Sequence, residues 1–502
     1  MKKLIILTAI ILIFNGISSA QGTFDALRYS QYQYEGTAKS MAMGNAMTSL
    51  GGDIYSISIN PAASAVYRYS EFSFTPSLSI FNNNVSYLGT DTKKNASQIN
   101  LSSIGYVTSK QMGRHSAVRN VSFGIAYNVL NNYNNEYIVN GRTNESSWLG
   151  ATAWQTGGYT EAELSSNGFL NSNAPWASIL AWNTFLIDPL GNNEYIGATE
   201  NDNGQNIYIP GYLQQRYVVR TSGVLSDIVF NAGVNILDKL YLGANLTMQS
   251  LYYSENKRYS EVADDPSLFD SGFSEFTHFY NMSTSGVGVN LKFGVIVTPI
   301  TGLRIATSIS TPTWMYLQDE WDESMTAYMS GDSYRLSTPL GSFEYRINTP
   351  LRWNFGASYV IGNIGMISAD YENINYSNIL MKDKYGDGYE FRDENVHIEQ
   401  NFQNSSIYRV GAEVRPVKGI AFRAGYSYYT NPEINIGSDI SYASAGIGFS
   451  GGKNFFADLA VQRMLNHEDY FSAYDDYDTI LAPTYSLKRS PMKVLLTIGF
   501  RF

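Results

Sequence analysis

The stretch GIGFSGG, residues 446–452, satisfies two catalytic spacings at once. Gly446, Gly448 and Gly451 fit GxGxxG, whose backbone N–H groups cradle a phosphate, while Gly448, Ser450 and Gly452 fit GxSxG, which holds a serine nucleophile on a strained turn. Both chemistries require a helix directly after the turn. The continuation KNFFADLAVQ alternates as a strand does, so a glycine-rich turn between two strands is the better reading. His115, His278, His397 and His467 are scattered without metal-ligand spacing, and no His or Tyr pair stands out as an axial haem ligand. The chain has no cysteine, which removes thiolate metal sites, Cys nucleophiles and disulfides. The acidic clusters Asp319, Glu320, Asp322, Glu323 and Asp475, Asp476, Asp478 lack the EF-hand spacing and read as solvated surface; the alternative is that they gather divalent cations bridging lipopolysaccharide phosphates. No enzyme activity, cofactor or resident metal is expected; an esterase activity lost in Ser450→Ala would argue otherwise.

A second group of residues suits binding better than bond-making. Residues 132–212 carry four of the seven tryptophans, Trp148, Trp154, Trp176 and Trp182, and the apolar run ASILAWNTFLI from Ala177 to Ile187, which includes Phe185 and Leu186. So much apolar surface in a loop reads as a groove that captures a hydrophobic small molecule. The competing reading is a small core belonging to the loop itself, or contact with an aromatic girdle. A third group is charged: Arg304, Arg352, Arg409, Arg423 and Arg501, with Asp370, Glu372 and Glu413, all on the less apolar face of alternating segments. Steering of a ligand carboxylate is one reading; a network of paired charges against a luminal plug is the simpler one.

The elements that must position these residues are strands. In LRWNFGASY, Leu351, Trp353, Phe355, Ala357 and Tyr359 share one face; in IAFRAGYSYY, Ile420, Phe422, Ala424, Tyr426 and Tyr428 do. The opposite faces hold Gly, Ser, Asn and single Arg residues rather than the Lys and Glu of a water-facing sheet, which suits a crowded polar lumen. Fourteen such segments can be placed between Tyr69 and Phe502, joined alternately by short turns and by long connections such as 82–97, 132–212, 255–275 and 318–341. An even number of strands with short turns on one rim and long loops on the other predicts an all-β membrane protein, a 14-stranded antiparallel transmembrane β-barrel. The last segment, KVLLTIGFRF, alternates up to Phe500 and Phe502 with Leu495 as its apolar exception, and resembles the C-terminal insertion signal through which such barrels meet the barrel assembly machinery.

Composition agrees. There are 39 Tyr, 25 Phe and 43 Gly, 16% charged residues and a mean hydropathy of −0.20, too aromatic for a disordered chain and too polar for a bundle of membrane helices. Residues 1–20 read as a secretory signal peptide, with Lys2 and Lys3 before an apolar core and Ala20 before the cleavage point. Loss of those two lysines takes the formal charge from −10 to −12, which argues against a nucleic-acid partner.

Between the leader and the first strand, residues 21–68 do not alternate. They are rich in Ala, Gly, Ser and Met, and Asn60 is placed to cap a helical turn that begins at Pro61 and continues through Ala62 to Val66. Met43, Gly44, Ala46, Asp53 and Asn60-Pro61-Ala62, together with barrel phrases such as LRWNFGASYVIGNIGMISADYENINYS and YRVGAEVRPVKGIAFRAGYSYYTNP, resemble the FadL-type family of outer-membrane transporters of long-chain fatty acids and aromatic hydrocarbons. The resemblance implies a mainly helical N-terminal hatch (21–68) inside a barrel (69–502), with Asn60, Pro61 and Ala62 in the hatch. Ala63 departs from the Gly that often follows. It further implies passive uptake of an apolar ligand through the bacterial outer membrane to a lateral opening, with a wall kink in the third strand at Gly124, in a setting of outer-membrane lipid and lipopolysaccharide. Some FadL-like barrels are accessory subunits of protein secretion complexes, so secretion-complex subunits are the alternative partners.

Overall fold

A computed structural model describes residues 22–113, 116–451, 454–465 and 467–502. The expected signal peptide therefore lies outside the described residues, as do His115, Gly452 and Lys453.

Alternation produces the wall. Fourteen antiparallel strands close on themselves: β1 Glu71–Tyr87, β2 Thr90–Gln111, β3 Val118–Asn132 with its continuation Asn135–Thr143, β4 Leu213–Ile236, β5 Leu240–Ala263, β6 Phe273–Val297, β7 Leu303–Ser310 and Trp314–Met329, and β8 Gly341–Asn348 and Arg352–Ile361. They continue with β9 Gly365–Asn375 and Leu380–Asp383, β10 Asn404–Val417, β11 Ile420–Tyr429, β12 Ile440–Gly451, β13 Phe455–Leu465 and His467–Ser472, and β14 Thr484–Arg489 and Met492–Arg501. The ring is closed by β14 against β1, with Phe500 opposite Phe72 and Ile498 opposite Phe74. Closure leaves no unpaired edge in hydrocarbon. Three of the interruptions fall at Pro312, Pro350 and Pro491, residues that cannot donate to a ladder.

The outward face is apolar and exposed: Phe123, Ile125, Phe230, Val287, Phe293, Trp353, Phe355, Val410, Phe422 and Phe449 all stand on it. A chain of this kind satisfies its backbone within the barrel and presents an oily band to lipid, and among the described residues no helix is long and apolar enough to cross a membrane.

The strands run further out than alternation predicted. Residues 82–97, expected as a loop, are the tip of a hairpin that turns at Leu88 and Gly89, with φ of 47° and 77°. Residues 255–275 and 318–341 likewise contribute to long strands, β5 and β6 reaching Ala263 and Phe273 and β7 reaching Met329. Outside the oily band neither face needs to be apolar, so hydropathy loses its signal there while backbone pairing continues.

Inside the ring lies the N-terminal segment: α1 Thr23–Ser30, α2 Ala38–Ala42, α3 Ser56–Ile59 and a 3₁₀ turn Pro61–Val66, almost entirely buried. Thr37 caps α2 by accepting from Ser40 N, and Asn60 caps the 3₁₀ turn by accepting from Ala62 N at 3.0 Å. Leu495, the apolar exception on the inner face of β14, packs with Ala38, Met41 and Ala42 of the hatch.

Candidate functional site

The hatch is seated in glycine notches. At Gly294 of β6 a Cβ would lie 1.8 Å from Asn60 Oδ1, and at Gly243 of β5 one would lie 2.3 Å from the Pro61 carbonyl. Only the missing side chains let the wall meet this turn. Asn60 Nδ2 also donates to Thr48 O at 2.8 Å, and Asn231 Nδ2 donates to Pro61 O at 2.9 Å. Asn60, Pro61 and Ala62 thus form a fully buried junction of hatch and wall, with Ala63 buried beside Tyr67 and Val107.

The charged residues of the inner faces pair with each other and with the hatch. Arg352 and Arg409 both bind Glu372, the former at 3.0 Å, and Glu372 also accepts from Tyr34 OH at 3.0 Å. Arg423 links Glu413 at 2.6 Å to Asp458 at 2.5 Å, and Arg501 meets Glu71 at 2.9 Å. Asp370 accepts from Thr48 N at 2.7 Å, Lys292 donates to Ser58 O at 2.8 Å, and Lys493 pairs with Glu35 of the hatch. Arg304 donates to Leu50 O. A network of charges paired with one another and with hatch backbone groups is what these side chains build.

Between hatch and upper wall the lumen is more apolar than expected, although Asp319, Arg352 and Glu372 are buried there too. Tyr29, Tyr32, Met43 and Met47 of the hatch meet Leu251, Tyr253, Met282, Met315, Leu317, Tyr345 and Ile347 of the wall in one buried apolar cluster. The expectation of a hydrophilic interior holds in full only lower down, where Asn231, Asn245, Ser308, Asn354 and Ser368 face inward. Beyond Pro312 the inner face of β7 carries Met315 and Leu317 and then the buried Asp319 and Glu323, where the acidic cluster had been expected at the solvated surface.

The 132–212 loop forms a cap packed on the outer ends of the wall strands. Its helices α4 Trp148–Thr156, α5 Gly168–Asn171 and α6 Trp176–Asn183 and the turns between and after them pack Leu149, Leu164, Phe169, Ile179, Leu180 and Leu186 in one cluster with Phe273, Phe276, Met325 and Met329 of the wall. Trp148 stacks on Phe276 and His278 with ring centroids 5.4 and 5.1 Å away; Trp176 meets Phe169 and Trp321, and Trp182 meets Tyr195. Leu186 is fully buried, whereas Trp154 and Phe185 are 59% and 54% exposed. The loop has its own core, and its six sequence-marked residues are spread through it and over its surface rather than gathered round one groove.

Two carboxylates lie inside the cap. Glu261 accepts from Ser147 Oγ at 2.5 Å and from Trp148 N, Tyr259 OH and Gln215 Nε2, each at 2.9 Å. Glu200 accepts from Gly197 N at 3.0 Å; burial, with the nearby charge of Glu261 adding to it, pushes its carboxyl up to about 7.

At the level of the upper hatch the wall has a seam. Pairing of β2 with β3 runs from Gln111–Asn120 only as far as Ser103–Asn128. There β3 bulges between Val129 and Asn131, and β1 shifts register at Pro76 opposite β2. The carbonyls freed at the bulge are taken by the hatch: Gln33 N donates to Leu130 O at 2.9 Å and Glu35 N to Val129 O at 3.0 Å. Gly124, where the kink was expected, is in regular register with Val107 and Asn231. The irregularity sits further out at Leu130 because a bulge inserts an extra residue, which any residue type can supply, whereas a glycine in register leaves the ladder intact. Sequence reasoning had no signal for Leu130.

The described part of the GIGFSGG stretch, Gly446–Gly451, is the end of β12, and the next described element is the strand β13 from Phe455, not the helix that either chemistry needs. Ser438, His467 and Asp469 come together at the outer rim, with Ser438 Oγ 3.0 Å from His467 Nδ1 and His467 Nε2 3.0 Å from Asp469 Oδ1; Asp469 is also bound by Arg489. That ion pair ties the β13–β14 rim together.

No protein-family model matches the chain, and no curated protein matches it. Among solved structures, the Pseudomonas putida toluene transporter TodX is similar over 94% of this chain and 99% of its own, with a TM-score of 0.53 and 14% identity. A Pseudomonas aeruginosa FadL homologue is similar over 94% of this chain and 100% of its own, with a TM-score of 0.55 and 12% identity. A closed, hatch-filled barrel of fourteen antiparallel strands, matched end to end by these two structures, gives this chain the fold of the FadL-type outer-membrane channels.

Proposed function

We propose that this barrel conducts hydrophobic small molecules, such as long-chain fatty acids or aromatic hydrocarbons, passively through an outer membrane. The observation that carries the reading is the buried, largely apolar contact between hatch and upper wall, which a pore for hydrated solutes has no reason to build and which becomes the ligand chamber when the hatch moves. Its lining includes Met43, Met47, Met282 and Met315, unbranched side chains that repack around differently shaped guests. Exposed apolar points on the cap, Trp154 and Phe185 among them, make first contact with the ligand. Residues 22–68 act as the movable unit. A shift of the extended segment at Gln33–Glu35 releases the carbonyls of Val129 and Leu130 and opens the β2–β3 seam towards the bilayer, so the cargo leaves sideways into lipid. Similarity to a toluene transporter and to a FadL homologue supports this reading. No bond is made or broken, and no cofactor is involved.

The test is direct. Purified protein in detergent is expected to hold extractable apolar molecules and to bind a long-chain fatty acid saturably, and Met315→Arg, which puts a charge into the chamber, is expected to abolish that binding while the barrel still shows its heat-dependent shift in gel mobility. Equal binding by wild type and Met315→Arg defeats the chamber reading. An empty lumen together with co-purifying secretion proteins would instead favour the accessory role.

A further inference from the structure

On the outside of the barrel, three neighbouring strands place a row of polar groups directly above the oily band. Tyr316 of β7 is registered with Arg346 of β8, and Arg346 with Lys382 of β9. In the next row towards the membrane, Trp314 is registered with Asn348, and Asn348 with Leu380. All six belong to the outward face, since Met315, Tyr345, Ile347 and Met381 between them are buried in the lumen. The turn beyond β9 folds Tyr385 and Gly386 over this row, and together they frame an external hollow of about 580 Å³.

Its height follows from β8. The lipid-facing residues Leu351, Trp353, Phe355, Tyr359 and Ile361 span eleven residues, about 25 Å for a strand inclined as barrel strands are. Asn348 and Arg346 come next on the same face, at the boundary where headgroups begin. The charges are unbalanced there. Among the described residues neither Arg346 nor Lys382 takes part in an ion pair; the nearest acids are otherwise engaged, Glu344 with Lys384 at 3.6 Å, and Asp383 accepting from the Tyr385 and Asp387 backbone N–H groups at 2.8 and 2.9 Å. Two cations facing one hollow, over a floor of Trp314 and Leu380 that continues into hydrocarbon, complement a molecule that is anionic at one end and oily at the other. Arg and Lys at a headgroup boundary bind phosphate in this way, the guanidinium in a fork and the ammonium as a point charge.

We propose that this hollow is a binding site for the phosphorylated headgroup of an outer-leaflet lipid, with Arg346 and Lys382 on the phosphate and an acyl chain lying along Trp314 and Leu380. The site is on the lipid side of the wall, separate from the lumen, so it stands or falls independently of the transport reading. It gives the barrel a fixed lipid neighbour beside β7–β9, away from the seam between β2 and β3.

The full chain in detergent is titrated with diphosphoryl lipid A and, separately, with phosphatidylcholine, and bound lipid is counted by native mass spectrometry. Wild type is expected to retain lipid A saturably, Arg346→Gln/Lys382→Gln to bind it at least ten-fold more weakly, and Arg346→Lys/Lys382→Arg to bind it close to wild type. Phosphatidylcholine binding is expected to be the same in all three. Each side chain faces outward, and the heat-dependent gel shift verifies that each variant is folded; the single variant Arg346→Gln, expected to bind severalfold more weakly, serves if the double variant does not assemble. Equal lipid A binding by wild type and a folded Gln variant overturns the proposal. Displacement of the lipid by millimolar inorganic phosphate also overturns it, by assigning the hollow to a free anion.

Discussion

Asn60 shows how much one side chain carries here. It caps the turn at Ala62, holds the Thr48 carbonyl and fills the notch at Gly294. Gly294→Ala forces a Cβ into the Asn60 side chain, an overpacking that costs about 1–3 kcal/mol. The expected result is a barrel that still assembles with a loosened hatch, seen as faster proteolysis within residues 22–68; unchanged protection would show that the notch is not what seats the hatch. The motif Asn-Pro-Ala was legible in the sequence, whereas the glycines opposite it were not, because Gly is common on every strand and only register selects those that face the hatch. Glu200 offers a pH test. Its carboxyl is raised to about 7 in the folded cap by burial, so between its ordinary value and 7 the folded cap binds the proton that the unfolded loop has lost. Cap stability is therefore greatest at the acid end of that window and falls as pH rises to 7, by about 1.4 kcal/mol for each pH unit crossed. Hydrogen exchange of the cap amides should quicken from pH 5 to 7.5 beyond the intrinsic rate increase, and Glu200→Gln should remove the excess.

At the scale of elements, β3 decides the most. Its bulge leaves backbone carbonyls for the hatch and ends the pairing with β2 at Ser103 and Asn128. Deleting Leu130 removes the extra residue, lets β3 run in register and takes away the hatch's acceptors. Uptake of an apolar probe by cells carrying this deletion is expected to fall to the level of cells without the protein, while the barrel still folds; full uptake would mean that the cargo leaves elsewhere. Strand existence was readable throughout the oily band, since one-sided lipid contact forces a period of two. Strand ends were not: the hairpin at Leu88–Gly89 and the extensions to Ala263 and Met329 lie where both faces tolerate polar residues. The cap was readable as apolar, but whether its tryptophans faced each other or a ligand depended on contacts with β5, β6 and β7, up to 180 residues further along the chain.

For the molecule as a whole, the hatch and the wall are each incomplete alone. Without residues 22–68 the buried pairs at Glu372 and Glu413 and the notched glycines would line an open, hydrated bore. A chain lacking those residues, if it assembles, is expected to conduct ions across a planar bilayer where the full chain stays closed; a silent bilayer would mean that the cap alone seals the mouth. The sequence by itself determined the class of the fold, its strand number and its oily exterior, because all three follow from local periodicity and composition set against a bilayer; the internal hatch was legible through the resemblance carried by residues 43–62. Only the tertiary structure decided that the upper lumen is apolar, that the seam lies at Leu130, and that Arg346 and Lys382 face one hollow. Each of these depends on which residues of distant strands share a row, and register is a property of the closed ring rather than of any one segment.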